Sequence, residues 1–176
     1  MHTGMRPHTR PLAIATALLA LLTIAGALPV AAQTTPRARA AEEAAVLATV
    51  RGLFDAMRAG DSAAVRAAFH PAAQLATALV RDGVPALELD SVTAFAQAVG
   101  TPHSEVWNER LRRTTVHIDG PLAVVWAEYA FYAGTQFSHC GVDAFQMVKT
   151  TAGWRILALA DTRQRTGCPE QVPARR

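Results

Sequence analysis

The pattern of apolar residues changes once along this chain, close to Glu105. Before that point apolar residues such as Val46, Val50 and Leu53 recur at three- and four-residue spacing, which is typical of amphipathic helices. After it, residues 105–161 are rich in β-branched and aromatic residues, which favour strands. Helices followed by a long series of strands indicate the α+β class, and we expect an antiparallel, curved sheet wrapped on the helices.

Glycine and proline positions divide the chain into separate helices and strands. The first predicted helix begins at Ala41 and ends at Gly60, and the second ends before Pro71. The predicted helices span residues 41–59, 62–69 and 91–99, and the predicted strands span residues 74–80, 86–89, 106–118, 122–132, 142–149 and 154–161. The last two strands are predicted to form a hairpin.

Residues 1–32 have the order of a secretory signal: a basic start without acidic residues, an apolar stretch over residues 12–28, and small residues before Ala32. We predict cleavage after Ala32 and export by the general secretory route. The alternative is an uncleaved membrane anchor, since this segment is long enough to span a bilayer. Pro29 and the small-residue exit favour cleavage. The mature protein is then expected in the periplasm or outside the cell, without a stable membrane anchor.

The mature chain is predicted to have a disordered leader at residues 33–40, one domain at residues 41–170 and a tail at residues 171–176. The full sequence has 17 basic and 14 acidic side chains and a net charge of +3. Two of the basic residues lie in the signal segment and four in the leader and tail, so the predicted domain carries −3. A phosphate-binding surface needs clustered positive charge, so we expect no nucleic-acid partner.

Cys140 and Cys168 are the only two cysteines of the sequence. In an oxidising compartment an even pair indicates one disulfide, and the alternative is two separate buried thiols. A hairpin that pairs Lys149 with Trp154 places Cys140 opposite Arg163, a few residues from Cys168. A modest bend of the chain then brings the two sulfurs together.

Short motifs accompany this order of elements. They are residues 58–61, 107–109, 118–123, 126–129, 139–145, 153–156 and 161–163. Together they resemble the nuclear transport factor 2-like superfamily, whose cone-shaped fold is shared by ketosteroid isomerases and polyketide-cyclase-like proteins. More narrowly, they are similar to the bacterial group described as "putative lumazine-binding". The resemblance covers about residues 42–170, and it implies a pocket between the sheet and the helices and a homodimer formed through the outer sheet face.

Asp161 is the first candidate for a functional side chain, because it ends the apolar run 156–160 and is followed by Arg163. An aspartate at the mouth of an apolar cavity can act as a general base, and an arginine beside it can orient an anionic or carbonyl substrate. The alternative is a structural ion pair between Asp161 and Arg163.

His139 and Asp143 are the second candidate pair. Four residues apart on a strand, they share a face, so Asp143 can fix the tautomer of His139 and His139 can act as a base. Alternatively, both bond to the backbone at the corner where the strand begins. Trp126 and Tyr129 can line a pocket for a flat ring. Side chains alternate between the two faces of a strand, so an even-numbered and an odd-numbered residue point into one cavity only if a bulge lies between them.

The sequence lacks the motifs of metal sites, phosphate-binding loops and several other functional sites. The sequence has no C-x-x-C, no H-E-x-x-H and no glycine-rich phosphate loop, and Lys149 is its only lysine. We therefore expect neither a metal nor a cofactor. The leading hypothesis is an exported domain that binds a small apolar or aromatic molecule. The alternatives are a metal-independent isomerase, dehydratase or hydrolase with Asp161 or His139 as base, and a dimeric structural or interaction module.

Overall fold

The computed structural model describes residues 35–169. The predicted signal peptide and the predicted tail lie outside the described residues. The described helices are α1 (Pro36–Ala59), α2 (Ser62–Ala68) and α3 (Val92–Gly100). The described strands are β1 (Phe69–Arg81), β2 (Val84–Asp90), β3 (Trp107–Asp119), β4 (Leu122–Ala133), β5 (Gln136–Thr150) and β6 (Gly153–Thr162). The α+β class is therefore confirmed.

Helix α1 begins at Pro36, earlier than the predicted start at Ala41. Thr35 caps the helix by accepting a hydrogen bond from the Ala38 amide at 3.2 Å, and proline is favourable in the first turn. The prediction of a disordered leader at residues 33–40 is therefore wrong for residues 36–40. Apolar periodicity does not reveal this first turn, because all of its side chains are exposed. The helix ends as predicted at Gly60, whose φ of 68° is left-handed.

The six strands form one sheet in the order β2-β1-β6-β5-β4-β3. Every neighbouring pair is antiparallel except β1 with β6, which is parallel. The expectation of a wholly antiparallel sheet is wrong at this pairing. Hairpins fix the antiparallel pairs, whereas β1 and β6 are separated by most of the domain and no short turn constrains their direction.

Strand β1 begins at Phe69, within the segment predicted as the end of the second helix and the turn after it. Its pairing with β6 is irregular between Phe69 and Gln74, and this interval contains Pro71. A proline has no amide hydrogen to donate, so it is accommodated where the ladder is interrupted.

The helices cover one face of the sheet. The apolar side of α1 is buried there through Val46, Val50, Leu53, Phe54 and Met57, as its spacing predicts. The ring of Phe54 meets Phe145 of β5 edge to face, with centroids 6.2 Å apart. The helical side of the domain is thereby packed on the middle of the sheet.

Glu42 connects the first part of α1 to the β5–β6 hairpin. Its carboxylate accepts hydrogen bonds from Lys149 Nζ at 2.6 Å and from Trp154 Nε1 at 3.1 Å. These bonds lower the pKa of Glu42. The helix is thus fixed to the sheet by polar contacts as well as by its apolar face.

The predicted disulfide between Cys140 and Cys168 is present. The hairpin pairs Lys149 with Trp154 as expected, but a bulge between Gln146 and Met147 shifts the register by one residue. Cys140 therefore pairs with Gln164 rather than with Arg163, through backbone hydrogen bonds of 3.0 and 2.9 Å.

Within residues 35–169, no helix combines the length and the apolar character that crossing a bilayer requires.

Candidate functional site

A cavity of about 400 Å³ lies between the helices and the sheet. This volume is in the range of pockets that hold small organic ligands. Most of its apolar lining comes from Leu53, Phe54, Met57, Leu75, Phe95, Trp107, Phe131 and Leu159. Its polar lining comes from Thr77, Asp90, Glu109, Tyr129, His139, Asp143, Asp161 and Arg163.

Strand register brings most of these polar groups together. Glu109 is opposite Phe131, and His139 is opposite the same phenylalanine on the other side. Asp143 is directly opposite Asp161 in the pairing of β5 with β6. Because side chains alternate between the two faces of a strand, these facing positions all point to the helical side of the sheet. Five of the six predicted site residues thus line one cavity, and the sixth does not.

Trp126 is the predicted residue that lies elsewhere. Its side chain is 57% exposed, together with Leu122 and Val124 on the same strand. On β4 the buried residues Ala127 and Tyr129 have odd numbers, so an even-numbered side chain points to the opposite face. The expectation that Trp126 lines the pocket with Tyr129 is therefore wrong.

Asp161 is held by three donors. Thr77 Oγ1 donates to its Oδ1 at 2.6 Å, while Arg163 Nε at 2.7 Å and the Tyr129 hydroxyl at 3.5 Å donate to its Oδ2. The Tyr129 hydroxyl also donates to the Thr162 carbonyl oxygen at 2.9 Å. Charge-assisted bonds of this kind stabilise the ionised carboxylate. The ion pair between Asp161 and Arg163 is thus formed at the edge of the cavity.

Glu109 and Asp143 form a second carboxyl pair, and their electrostatics differ from those of Asp161. Their carboxyl groups are hydrogen-bonding neighbours. Burial, strengthened by the negative charge of Asp143, raises the pKa of Glu109 well above its ordinary value. Burial also raises the pKa of Asp143 to about 7, with the charge of Asp161 acting in the same direction. The pair therefore retains protons at pH values where ordinary carboxylates are ionised.

One oxygen of Asp143 has no partner in the protein. The residue is only 3% exposed, and its Oδ2 atom is buried without a hydrogen bond. Buried polar atoms are nearly always hydrogen-bonded, because leaving one unpaired costs about 1–3 kcal/mol. An acceptor that lines a cavity in this state is a position where a bound molecule can donate.

His139 is surrounded by aromatic rings. It stacks on Phe131 with centroids 4.9 Å apart and meets Tyr129 edge to face at 5.7 Å. Burial, together with the charge of Arg163, lowers the pKa of His139, so the ring is neutral near pH 7. Its Nδ1 lies 3.0 Å from Ser138 Oγ. The expected tautomer control by Asp143 is therefore not what the structure shows, since Ser138 takes that position.

Glu109, Thr77 and Trp107 line the cavity but were not predicted as site residues. For Glu109 the signal was present, because it alternates with the apolar Trp107 and Leu111, and this places it on the buried face of β3. Thr77 had no such signal. Its position beside Asp161 depends on the parallel pairing of β1 with β6.

Among residues 35–169, no group of three histidine, cysteine, aspartate or glutamate side chains has the arrangement of a metal site. The polar lining of the cavity consists of carboxyl, hydroxyl, imidazole and guanidinium side chains.

Three helices on one face of a six-stranded sheet, with a cavity between them, define the nuclear transport factor 2-like, or cystatin-like, class. Solved structures of this class are similar to the chain. An NTF2-like protein of unknown function from Shewanella baltica has a TM-score of 0.56 at 15% identity, over 76% of this chain and 100% of that one. An NTF2-like protein with a cystatin-like fold from Novosphingobium aromaticivorans has a TM-score of 0.59 at 15% identity, over 76% and 89% of the two chains.

A "putative dehydratase from the NTF2-like family" of Streptomyces avermitilis has a TM-score of 0.54 at 14% identity, over 74% of this chain and 99% of that one. At these identities the likeness shows the fold alone. The family model described as "Putative lumazine-binding" matches residues 41–160, and the chain belongs to that family. No curated protein matches the sequence.

Proposed function

We propose that this domain binds a small, largely apolar or aromatic molecule in its cavity. The observation that carries the proposal is a cavity of about 400 Å³ whose lining combines apolar and aromatic side chains with carboxyl, hydroxyl and imidazole groups. Ligand pockets typically combine an apolar lining with a few polar groups that orient the bound molecule.

The aromatic side chains favour a flat ligand. Trp107 meets Phe131 edge to face at 6.2 Å, and Phe131 in turn stacks on His139. Such rings offer large contact areas to a planar molecule at little cost in conformational entropy. The description of the family names lumazine, a bicyclic aromatic heterocycle, and this supports the same class of ligand.

Native mass spectrometry tests the proposal, with lumazine added to the purified protein. A bound mass is expected for the wild type and should be lost in Ala98→Phe, which fills a position that lines the cavity. Ala48→Phe is the matched control, because Ala48 is exposed on α1. If the wild type retains neither lumazine nor any small molecule from the expressing cells, the proposal is contradicted.

A proton-transfer enzyme is the second candidate function, and the Glu109–Asp143 pair favours it. A carboxyl group with a pKa near neutrality can give and take protons at physiological pH. The base is then Asp143 rather than Asp161, whose oxygens are held by Thr77, Tyr129 and Arg163. The probe reaction is hydrogen–deuterium exchange at the α-carbon of 2-tetralone, followed by NMR. Exchange above the buffer rate that disappears in Asp143→Asn supports this function, and a rate equal to that of buffer contradicts it.

We further propose that the domain is a homodimer in which a second copy covers the outer sheet face. Leu122, Val124 and Trp126 are 49%, 40% and 57% exposed on β4, and an apolar row of this kind is typical of an interface. Light scattering should give a dimer for the wild type and a monomer for Trp126→Glu. Leu87→Glu on β2 is the control. A monomeric wild type at micromolar concentration contradicts the proposal.

The export of the protein is likewise a proposal, and the Cys140–Cys168 disulfide supports it, because such bonds persist in oxidising compartments. The intact mass of protein recovered from the periplasm of an expressing bacterium should lack residues 1–32. Recovery of the full-length mass from the membrane fraction contradicts cleavage.

A further inference from the structure

Carboxyl groups outnumber basic groups in the lining of the cavity. Four carboxyl groups line it, those of Asp90, Glu109, Asp143 and Asp161, against the single guanidinium of Arg163. His139 is neutral near pH 7, because burial and the charge of Arg163 lower its pKa. Because Asp161 is paired with Arg163, each further carboxyl that ionises gives the cavity a negative charge, which repels anions and attracts cations.

The guanidinium is already engaged. Arg163 Nε donates to Asp161 at 2.7 Å, and Asp161 also accepts from Thr77 on the neighbouring strand. The Tyr129 hydroxyl donates to the Thr162 carbonyl at 2.9 Å. Arg163 Nε and the Tyr129 hydroxyl are thus directed at acceptors other than the Glu109–Asp143 pair.

A buried oxygen of Asp143 is independent evidence that the cavity lacks a hydrogen-bond donor. Asp143 lines the cavity, and its buried Oδ2 atom accepts no hydrogen bond. Its neighbour Glu109 contributes a second carboxyl, so the pair has more acceptor oxygens than protons. A ligand that supplies an N–H group here satisfies an acceptor that the protein leaves unpaired.

We infer that the ligand carries a basic nitrogen, a protonated amine or amidine on an aromatic or apolar body, which donates to Asp143 and Glu109. This inference rests on the proposed small-molecule binding function. The aromatic faces of Trp107 and Phe131, which line the same cavity, are suitable for the ligand body and add a cation–π attraction.

A cationic ligand should bind more tightly than a neutral donor, because its positive charge replaces that of the proton held by the carboxyl pair. Without ligand, the carboxyl pair keeps a proton near neutral pH. When the cation binds, both carboxyls ionise against its positive charge, and the displaced proton passes to solvent. Of the groups that face the pair from the other strands, Arg163 is ion-paired with Asp161, and Tyr129 stays neutral across pH 6.5 to 8 since burial raises its pKa. Affinity for the cation therefore rises with pH across this interval.

Three indole compounds of nearly equal size test the inference by isothermal titration calorimetry. Tryptamine is a cation, tryptophol is neutral and indole-3-acetate is an anion. We expect tryptamine to bind at least tenfold more tightly than tryptophol, and indole-3-acetate to bind most weakly. At pH 6.5, the heat of tryptamine binding should depend on the ionisation enthalpy of the buffer, as release of a proton requires, and that of tryptophol should not.

Glu109→Gln and Asp143→Asn should each reduce the preference for tryptamine over tryptophol to less than threefold. Retained tryptophol binding shows that the cavity of each variant is intact. Glu43→Gln, on the exposed side of α1, is the matched control and should leave the preference unchanged.

Equal binding of tryptamine and tryptophol, or tightest binding of indole-3-acetate, overturns the amine preference and leaves small-molecule binding in place. If none of the three binds while lumazine is retained in the native mass spectrum, the amine preference is again overturned alone. If neither the indoles nor lumazine bind, the proposed function itself fails.

Discussion

Asp143 and Asp161 face each other across the β5–β6 pairing, yet they differ in every hydrogen bond. Asp161 accepts from Thr77, Tyr129 and Arg163, whereas one oxygen of Asp143 is buried without a donor. Like charges directly opposite in a sheet are destabilising. In the structure Asp161 is paired with the guanidinium of Arg163, whereas burial raises the pKa of Asp143 and so favours its uncharged form.

This difference makes the stability of the domain depend on pH through Asp143. Its pKa is about 7 in the folded protein against 3.8 in an unfolded chain, so the folded state binds the proton more strongly. The contribution of the Asp143 carboxyl to the free energy of unfolding is fully present below about pH 4. It is lost as the pH rises to about 7. Asp143→Asn removes this dependence. Between pH 4.5 and 8, the free energy of unfolding of the variant should gain about 2 to 4 kcal/mol relative to wild type.

Urea unfolding at the two pH values measures this change. Asp82→Asn, in the exposed β1–β2 turn, is the control and should follow the wild type at both pH values. If wild type and Asp143→Asn show the same pH dependence, the carboxyl of Asp143 is ionised in the folded state and the interpretation is wrong.

Tyr129 contributes stability through its hydroxyl. Tyr129→Phe removes the donor to the Thr162 carbonyl at 2.9 Å and leaves a partly buried acceptor unpaired. We expect a loss of about 1 to 3 kcal/mol in the free energy of unfolding. Tyr132→Phe is the control, because Tyr132 makes its contacts through its ring, with Phe137 and with the guanidinium of Arg110. Equal effects of the two substitutions would contradict the assigned role.

Gly141 allows the end of β6 to approach β5 closely. A Cβ atom at this position would overlap the Thr162 carbonyl oxygen and touch the ring of Tyr129. Gly141→Ala should therefore displace the end of β6 and destabilise the domain by about 1 to 3 kcal/mol. The same substitution at Gly52, which is exposed on α1 with nothing within 4 Å of the new Cβ, should stabilise it by about 0.5 to 1 kcal/mol.

Thermal unfolding distinguishes these two glycine substitutions by the opposite signs of their effects. A neutral Gly141→Ala variant would mean that β6 and β5 separate easily at this point. Weakened ligand binding in Gly141→Ala is also expected, since Arg163 follows Thr162 directly.

The disulfide closes a loop with a sequence separation of 28 residues. In the chain-entropy account, a loop of this length stabilises the fold by about 3 to 4 kcal/mol. The double variant Cys140→Ser with Cys168→Ser should lose about this amount, and dithiothreitol should lower the melting temperature of the wild type alone. A wild type that melts at the same temperature with and without reductant would count against this contribution.

Local patterns in the sequence were sufficient to predict the class of fold, the apolar face of α1 and the β5–β6 hairpin, because each depends on residues near one another in the chain. The parallel pairing of β1 with β6 was not predictable in this way, since it joins segments about 80 residues apart. A bulge accounts for a further error, because local patterns do not reveal an extra residue in a strand. It shifted the partner of Cys140 by a single residue, from Arg163 to Gln164.

In the candidate site, too, the features that depend on neighbouring residues were predictable, and the contacts between distant segments were not. Asp161, Arg163, His139 and Asp143 were found because each lies in or beside a predicted strand. Thr77 and Glu109, which bond to Asp161 and Asp143, were not predicted, since they come from other strands of the sheet. Proton binding by Asp143 depends on those partners, and a sequence pattern does not determine it.

The parallel pairing of β1 with β6 also has a consequence for the order of assembly. The first strand of the sheet finds one of its two neighbours only when the last strand has been made, because β6 inserts between β1 and β5. Asp161, Arg163 and the second cysteine all lie in this final part of the chain. A nascent or truncated chain therefore has no complete cavity, and the ligand-binding end of the domain is finished last.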